Sequence, residues 1–284
     1  MLDSIKQFAA PLRDPRYFQI VFLSTFLLFG VYSLGWKANW TMYLVTIATS
    51  LGTQIVLEKW YKRPKSSIKS ALITSLGLCL LLKSDAHWVM ALAAFAAIGG
   101  KFWFRYNGKH LFNPANFGII ATILLTNQAW ISPGQWGSAP VLTFFFLGAG
   151  LMILLKISRL ETAITFLAVF GLLLISRMVW YQGWEYGVVF HKLTNGSLLL
   201  FTFFMITDPM TIPNGSKARI IWAALLAIIS FVATSWFFLH TAAIWVLFLF
   251  TPLTVVLDQV LKSKKYEWPE IKIRRSSQPS LEKK

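Results

Sequence analysis

The chain has 284 residues, of which 56% are hydrophobic, and its mean hydropathy is +0.59. A composition this apolar excludes an ordinary soluble protein and is typical of a polytopic membrane protein. The formal net charge of +16 comes from short basic clusters between apolar segments, which indicates membrane-protein loops and not a nucleic-acid interface. A single cysteine, Cys79, excludes an intrachain disulfide.

Ten apolar windows, each near the length that crosses the hydrocarbon core, follow one another along the chain. They lie at about 17–36, 40–57, 68–83, 87–104, 114–130, 140–156, 160–181, 194–208, 217–238 and 240–261. We therefore predict an all-α protein with one transmembrane domain of about ten helices over residues 1–261. Residues 262–284 are rich in lysine and arginine and contain prolines and serines, so we predict a basic, disordered cytoplasmic tail.

Lysine and arginine residues alternate between the turns in a way that supports this count. They are concentrated near both termini and at or after the ends of the even-numbered windows; Lys101, Arg105 and Lys109, for example, lie at the end of the fourth and just beyond it. Because basic loops stay in the cytoplasm, we predict a multi-pass protein of the cell membrane with both termini cytoplasmic. The lipid bilayer is its first predicted partner.

The stretch from Gly108 to Gly118 places a helix start inside this apolar sequence. Asn113 is a favoured N-cap residue, and Pro114 is a favoured first residue of a helix. Because proline biases its predecessor toward an extended backbone, Lys109 would lie on a short non-helical segment. A helix start offers free N–H groups and the positive end of a dipole, so we predict that it faces a ligand. A plain interfacial cap is the alternative.

A second break, Thr207-Asp208-Pro209, closes the eighth window. A carboxylate near the hydrocarbon is costly unless it is paired or solvated, so Asp208 should face a cavity or a partner. One interpretation makes Asp208 an acceptor for a ligand's N–H or hydroxyl groups, or for a cation. The other makes it an ordinary helix-terminating turn, held by an ion pair with Lys217 or Arg219.

The turns that contain the two breaks are predicted on the same side of the membrane, so we expect them to form one site. The predicted cofactor-binding residues are Lys109, Asn113, Pro114, Thr207, Asp208 and Pro209. The four histidines are scattered along the chain, so we predict no metal site. Motifs of soluble hydrolases, metalloproteases and nucleotide-binding enzymes are absent from the sequence, so we predict no catalytic residue and no stand-alone enzyme.

Ten spans permit a five-plus-five duplication, whose halves would be inverted because five is odd. Transporter folds with broken helices are often built in this way. Residues 70–76 in the third window are somewhat similar to residues 197–203 in the eighth. We therefore expect an inverted repeat, although the sequence alone leaves this open.

Three stretches together resemble one family. They are the Leu-Ile-Thr-Ser-Leu-Gly-Leu core within 70–82, the Phe-Asn-Pro-Ala motif at 112–115, and the Phe-Phe-Met-Ile-Thr-Asp-Pro motif at 203–209. They are similar to the NqrB/RnfD family, the membrane subunits of sodium-pumping NADH:quinone reductase and of the Rnf electron-transport complex. The resemblance implies a ten-helix inverted repeat similar to urea transporters, and one-electron transfer through flavins.

Members of that family carry an FMN joined by its phosphate to a threonine in a Ser-Gly-Ala-Thr motif. The matching interval of this chain ends in Ser138-Ala139-Pro140, so the acceptor threonine is missing, and Thr143 lies outside the motif. The resemblance therefore implies that covalent FMN is not attached here. A noncovalent flavin, or a role as a scaffold in a membrane redox complex, remains compatible with it.

Two functional hypotheses follow. The first is a flavin-associated membrane subunit of an electron-transport complex, in which groups around the two breaks position a noncovalent FMN or riboflavin and other redox subunits are the partners. The second is a transporter or channel, in which the same broken helices line a path for a small polar solute. The family resemblance favours the first hypothesis, and the missing threonine favours the second.

Overall fold

The computed structural model describes residues 14–37, 39–62, 68–136 and 140–266, and most of these are helical. The first five helices are α1 (Pro15–Tyr32), α2 (Trp40–Trp60), α3 (Ile68–Leu81), α4 (His87–Trp103) and α5 (Pro114–Thr126). Side chains of Asp14, Asn39 and Asn113 accept hydrogen bonds from the first turns of α1, α2 and α5. These caps satisfy N–H groups that a helix start leaves free, which is why the helices begin where they do.

The second set of helices contains several breaks. It comprises α6 (Pro140–Ile157), α7 (Leu160–Leu174, continued as a π-helix over Ile175–Tyr181), α8 (Tyr186–Leu193), α9 (Gly196–Leu200, continued as a π-helix over Phe201–Met205), α10 (Ser216–Trp236), α11 (Ala242–Phe250) and α12 (Leu253–Val260). Helix α8 bends by 49° into α9 with its π-helical end, and α11 bends by 51° into α12. Asn195 caps the first of these breaks, and Pro252 follows the second.

Each of the ten apolar windows contains a helix. Within the described residues, three helices are long and apolar enough to cross a membrane alone, namely Trp40–Trp60, Leu160–Tyr181 and Ser216–Trp236, and the two bent pairs raise the number of candidate spans to five. The prediction of a mostly helical membrane protein is therefore supported at this coarser level, while the count of ten spans stays a prediction. Helix α8 and the break before Pro252 were not predicted.

Two short antiparallel ribbons add to the helices. Strand β1 (Leu82–Ser84) pairs with β4 (Ala129–Ile131), with Lys83 opposite Trp130. Strands β2 (Arg105–Tyr106) and β3 (Lys109–His110) form a hairpin through Asn107 and Gly108, both of which have positive φ. The first ribbon joins the ends of the two short helices α3 and α5, and the second leads into Asn113.

Contacts between loops define two ends of the helix bundle. At one end, which we call the basic end, Lys69, Lys109 and Arg219 form ion pairs with Asp14, Asp258 and Glu161, respectively. At the opposite end, the β1–β4 ribbon lies near a 3-10 turn (Pro133–Trp136), and the Trp36 indole N–H donates to the Gln135 carbonyl at 2.8 Å. Charged groups thus hold the loops at one end, and backbone groups and indole rings hold them at the other.

Aromatic side chains and small residues fill the interior between these ends. The rings of Phe26 and Phe146 stack with centroids 3.9 Å apart, and Trp136 packs against Phe146. At Gly118 of α5, an added Cβ would lie 2.6 Å from the Ala93 carbonyl oxygen of α4. Only glycine permits this close crossing of α4 and α5, which positions the start of α5.

The chain after α12 returns across the basic end. Lys265 donates to the Asn107 carbonyl at 2.9 Å, and the Arg159 guanidinium lies 5.0 Å from the centroid of the Tyr266 ring. The first residues of the predicted tail therefore contact the bundle. Residues 267–284, like the Ser138-Ala139 part of the flavin-acceptor interval, lie outside the described residues, so the tail stays a prediction.

Candidate functional site

Lys109 is the most connected of the predicted site residues. Its ammonium donates to Asp258 Oδ2 at 2.7 Å, to Asn214 Oδ1 at 3.3 Å and to the carbonyl of Ile212. The Asn214 backbone N–H donates to the other oxygen of Asp258 at 2.7 Å. Burial lowers the pKa of Lys109, while the hydrogen bond with Asp258 opposes this shift. The network ties the β2–β3 hairpin to the loop before α10 and to α12.

Asn113 performs two tasks at the start of α5. Its Oδ1 accepts from the Asn116 backbone N–H at 3.1 Å, as expected for the N-cap that precedes Pro114. Its Nδ2 donates to the Met205 carbonyl at 3.4 Å and to Asp208 Oδ2 at 3.5 Å. Both distances are at the long end of the range for hydrogen bonds, so these contacts are weak. They nevertheless join the two predicted breaks.

Asp208 lies in the turn after the π-helical end of α9. Its Oδ1 accepts from the Met210 backbone N–H at 3.0 Å, the arrangement of an Asx turn. Burial raises the pKa of Asp208, and the Met210 N–H and the charges of Lys101 and Lys109 counteract the increase. The side chain is half-buried. A carboxylate at the end of a helix between two lysines suits an acceptor role.

The alternative ion pair that the sequence suggested for Asp208 is wrong for Arg219. Arg219 is turned toward α7, where its Nε donates to Glu161 Oε1 at 2.8 Å, and its Nη1 donates to the Pro213 carbonyl at 3.4 Å. Its guanidinium has five donors, and it uses them to hold the start of α7 and the loop before α10. Asp208 therefore interacts with the amide of Asn113 and with the charges of Lys101 and Lys109.

Thr207 and Pro209 support the turn and offer no side-chain donor to a ligand. The Thr207 hydroxyl donates to the Phe203 carbonyl at 2.7 Å within the π-helical segment. Pro209 is buried beside it, and Pro114 is buried behind Asn113. Of the six predicted site residues, the structure thus brings Asn113 and Asp208 into contact, places Lys109 on a neighbouring network, and gives Thr207, Pro114 and Pro209 positions of backbone support.

Aromatic rings lie beside the capped start of α5. Phe112 stacks on Phe248 of α11 with centroids 4.9 Å apart, and Phe117 and Phe104 pack against Phe112 at 5.4 and 5.8 Å. The amide of Asn116 donates to the Ile244 carbonyl of α11 at 2.8 Å. The start of α5 is therefore held against α11 by rings as well as by hydrogen bonds.

A pocket of about 230 Å³ opens between the β2–β3 hairpin and α12. It is lined mostly by polar residues, namely Tyr106, Asn107, Lys109, His110, Leu111, Asn214, Thr254, Val255, Asp258, Gln259 and Lys265. Lys109 is the one predicted site residue among these. The volume is below the roughly 300–1,000 Å³ typical of pockets that enclose a cofactor-sized ligand. The pocket can receive an edge or a polar head group of a larger molecule.

The donor and acceptor groups of this region match those of a flavin ring in kind. The three N–H groups of Lys109 are donated to Asp258, Asn214 and the Ile212 carbonyl, so a ring carbonyl or a phosphate would have to displace one of these acceptors. Asp208 offers an acceptor for a ring N–H. The pocket at Lys109 would take only part of such a molecule, because of its volume. Within the described residues, no group of three or more metal-binding side chains is found.

Sequence reasoning missed several members of this region. Asp258 and Asn214, the partners of Lys109, lie 149 and 105 residues away in the chain, and no local motif marks them. Lys101 is 4% exposed and donates to the Ser70 carbonyl at 3.1 Å. Its position in the last turn of α4 made it look like an ordinary cytoplasmic-loop residue. An isolated Asp258 in an apolar window was a usable signal, because such a carboxylate requires a partner.

Comparison with known proteins gives a consistent result. A family model described as the NQR2, RnfD, RnfE family matches residues 14–136 and 125–267. The chain is 25% identical to the RnfD subunit of the ion-translocating oxidoreductase complex of Halorhodospira halophila, over 90% of this chain and 92% of that protein. It is 26% identical to the same subunit of Stutzerimonas stutzeri, over 84% and 87%. Together with the apolar helices, these matches identify a multi-pass membrane protein. The resemblance seen in the sequence is thereby confirmed: the chain belongs to the NQR2, RnfD, RnfE family.

Proposed function

We propose that this protein is a membrane subunit of an ion-translocating, flavin-dependent oxidoreductase complex. The observation that carries the proposal is the extent of the family match, which runs through nearly all of the described residues. The two RnfD relatives from such complexes align with this chain over 92% and 87% of their own lengths, so the match is to nearly the whole of each relative. Other subunits of the same complex are the proposed protein partners.

A ten-span inverted repeat is the fold that we propose for this function, similar to that of urea transporters. Under a five-plus-five division, the third helical segment corresponds to the eighth and the fifth to the tenth. The third and fifth, α3 and α5, have only 14 and 13 residues, and the eighth and tenth are the two bent pairs. Short or broken segments at corresponding positions support such a repeat and point to a site where they meet.

We further propose that any flavin is bound without a covalent bond, with Lys109 and Asp208 as its polar contacts. The support is the donor set described above and the absence of the acceptor threonine from Ser138-Ala139-Pro140. The flavin would supply one-electron chemistry, and the protein would supply position and electrostatics. Asn113 keeps Asp208 and the start of α5 in place in this account.

Purification of the tagged full-length chain from its own membranes in a mild detergent tests the proposed function. We expect redox-active membrane subunits to co-purify in a fixed ratio, and we expect any flavin absorbance to be released from the chain by acid denaturation. A chain that purifies without partners after gentle cross-linking would contradict the subunit role. Flavin fluorescence that stays on the denatured band would contradict noncovalent binding.

Transport of a small polar solute is the second candidate function. The two helix pairs bent by 49° and 51° favour it, because discontinuous helices with exposed ends form the binding sites of many transporters. A colourless protein that purifies alone and equilibrates a polar solute across liposomes would favour transport over the redox role.

A further inference from the structure

The second helix, α2, exposes apolar residues and buries polar ones. Its apolar residues Leu44 and Val56 are 65% and 58% exposed, facing the surroundings of the bundle, whereas a row of polar residues faces the interior. These polar residues are Thr46, Ser50, Gln54 and Glu58, none more than 9% exposed. They recur every fourth residue and so follow one side of the helix. We call this row the polar face of α2.

The polar face runs most of the way through the bundle. From Thr46 to Glu58 the helix rises about 18 Å, compared with a hydrocarbon core of about 30 Å. At the basic end the row continues to Lys101 of α4, which interacts electrostatically with Glu58 and with Asp208 behind it. Lys101 also donates to the Ser70 hydroxyl of α3 at 3.2 Å. Glu58 accepts a hydrogen bond from Gln54 at 2.7 Å.

At the opposite end the row continues from Thr46 to α3 and β1. The Thr46 hydroxyl donates to the Met42 carbonyl at 2.8 Å, and beside it lies the completely buried thiol of Cys79. Beyond it, the ammonium of Lys83 lies 5.9 Å from the ring of Tyr43 and 4.9 Å from that of Trp36. Polar and ionisable groups therefore lie at intervals through the interior, from one end of the bundle to the other.

Helix association alone does not account for this arrangement. Polar side chains between membrane helices stabilise the packing when they bond to one another across the interface. The hydroxyl of Ser50 is completely buried, yet no hydrogen-bond partner for it exists among the described residues. A buried hydroxyl without a partner lowers the stability of the fold unless a water molecule, neutral or protonated, forms a hydrogen bond with it. It lies midway along the polar face, between Thr46 and Gln54.

We propose that the polar face of α2 conducts protons across the membrane domain, with Glu58 exchanging the proton at the basic end. The carboxylate takes up one proton from one side and releases one to the other, so that no bond is changed overall. A metal cation fits less well, because hard cations require several oxygen ligands around one point. Successive groups here are about 6 Å apart along the helix, and the row has one carboxylate.

This proposal deepens the proposed function, since it rests on an ion-translocating role and names the ion and its route. Its test uses the full-length chain alone in liposomes, so that it is independent of partner binding. A potassium gradient with valinomycin drives protons inward, and a pH-sensitive dye inside reports the flux. Loss of redox partners in purification would refute the subunit role and leave this flux unchanged, whereas absent flux would refute the route alone.

We expect the unaltered chain to conduct protons at least tenfold faster than empty liposomes. Glu58→Gln and Ser50→Ala should each lower the flux about tenfold. Thr49→Val, next to Ser50 on the same helix but outside the row, is the matched control and should leave it unchanged. Equal flux in all variants, or flux no higher than in empty liposomes, would overturn the proposal. Sodium flux with the same dependence would overturn the assignment of the ion.

A measurement on the unaltered chain covers the case in which a variant fails to fold. Dicyclohexylcarbodiimide modifies protonated carboxyl groups in apolar surroundings. We expect it to block the flux and to label Glu58, as read by mass spectrometry, with labelling that is not affected by sodium. Block of the flux with the label on another carboxylate, or protection by sodium, would overturn the role of Glu58.

Discussion

The two ends of the helix bundle are held together by different kinds of interaction. At the basic end, charged side chains connect helices far apart in the chain, as Lys109 does with Asp258 and Lys69 with Asp14. At the opposite end, the β1–β4 ribbon provides backbone hydrogen bonds, and the ring of Trp36 meets that of Trp136 at 4.8 Å. Ion pairs respond to pH and to the loss of one partner, while ring packing responds to volume.

This difference indicates that one end carries the candidate site and that the other end supports the fold. The predicted site residues, the pocket and the basic end of the polar face of α2 all lie where the charges are. The opposite end fixes the helices through the β1–β4 ribbon and through ring packing. Substitutions at the two ends should therefore differ in their dependence on pH and in whether a second substitution rescues them. The buried thiol of Cys79 is a built-in reporter, because it reacts with a thiol-specific dye only when the bundle opens.

The largest expected effect is at the ion pair between Lys109 and Asp258. Lys109→Met leaves the carboxylate of Asp258 largely buried, with the Asn214 N–H as its one remaining donor among the residues that the structure describes. Breaking a buried pair in this way costs about 3 kcal/mol, or a fall in Tm of roughly 6 °C for a chain of this size. Thermal exposure of Cys79 in detergent measures the change.

The paired variant Lys109→Met with Asp258→Leu is the control for this prediction. It removes both charges, so it should regain most of the lost stability. An equal loss in the single and the paired variants would show that the ion pair is not what holds this end together.

At the opposite end, Gly196→Ala tests packing against Trp136. An added Cβ would lie 2.8 Å from the Trp136 ring, which is completely buried and has no room to move away. We expect a loss of about 2 kcal/mol, equal at pH 7 and pH 5 because no titratable group is involved. Gly148→Ala, where nothing lies within 4 Å of the new atom, is the matched control and should be harmless. A pH-dependent loss would contradict the comparison.

Asp14 should make the basic end sensitive to acid. Burial alone would raise its pKa, but hydrogen bonds from Arg16 and Lys69 lower it from 3.8 to about 2. A lowered pKa in the folded state stabilises the protein above about pH 4, and this contribution is lost as pH falls toward 2. Asp14→Asn keeps the helix cap and removes the charge, so it should cost about 1 kcal/mol at pH 7 and nothing near pH 2. A constant difference across this range would refute the assignment.

The smallest expected effect is the coupling between Asn113 and Asp208. Asn113→Ala should cost about 1 kcal/mol through the lost cap. Because Nδ2 is 3.5 Å from Asp208 Oδ2, the double variant with Asp208→Asn should deviate from additivity by about 0.5 kcal/mol. The same cycle, read as flavin retention, tests whether the pair forms a binding site. Strict additivity in both measurements would assign the two breaks to structure.

Local signals predicted most of the helices and the start of α5. Asn113 and Pro114 lie where cap and first-turn preferences place them, and each apolar window contains a helix. Such features depend on residues within one turn of one another, so a single sequence records them. Helix α8 was missed because it is short and sits in a polar-aromatic stretch that suited an interfacial loop equally well.

Long-range pairing was predicted less completely. The contact of Asn113 with Asp208 was expected, because both breaks fell on turns of the same predicted side. The choice of Asp258 for Lys109, and of Glu161 for Arg219, was not, since charge alone does not say which of several acids lies nearest. The inward orientation of Ser50 and Glu58 also escaped notice, because in a helix this apolar the hydrophobic pattern does not reveal which side faces the interior.

The central claim is that the end of the multi-pass bundle held by ion pairs faces the cytoplasm, and that the end held by the ribbon and by ring packing faces outward. Single cysteines at exposed positions test it most directly in a Cys79→Ala background, with Gln128→Cys at the opposite end and Lys264→Cys at the basic end. An impermeant maleimide added to intact cells should label Gln128→Cys, and should label Lys264→Cys only after permeabilisation. Labelling of both in intact cells, or of Lys264→Cys alone, would contradict the account.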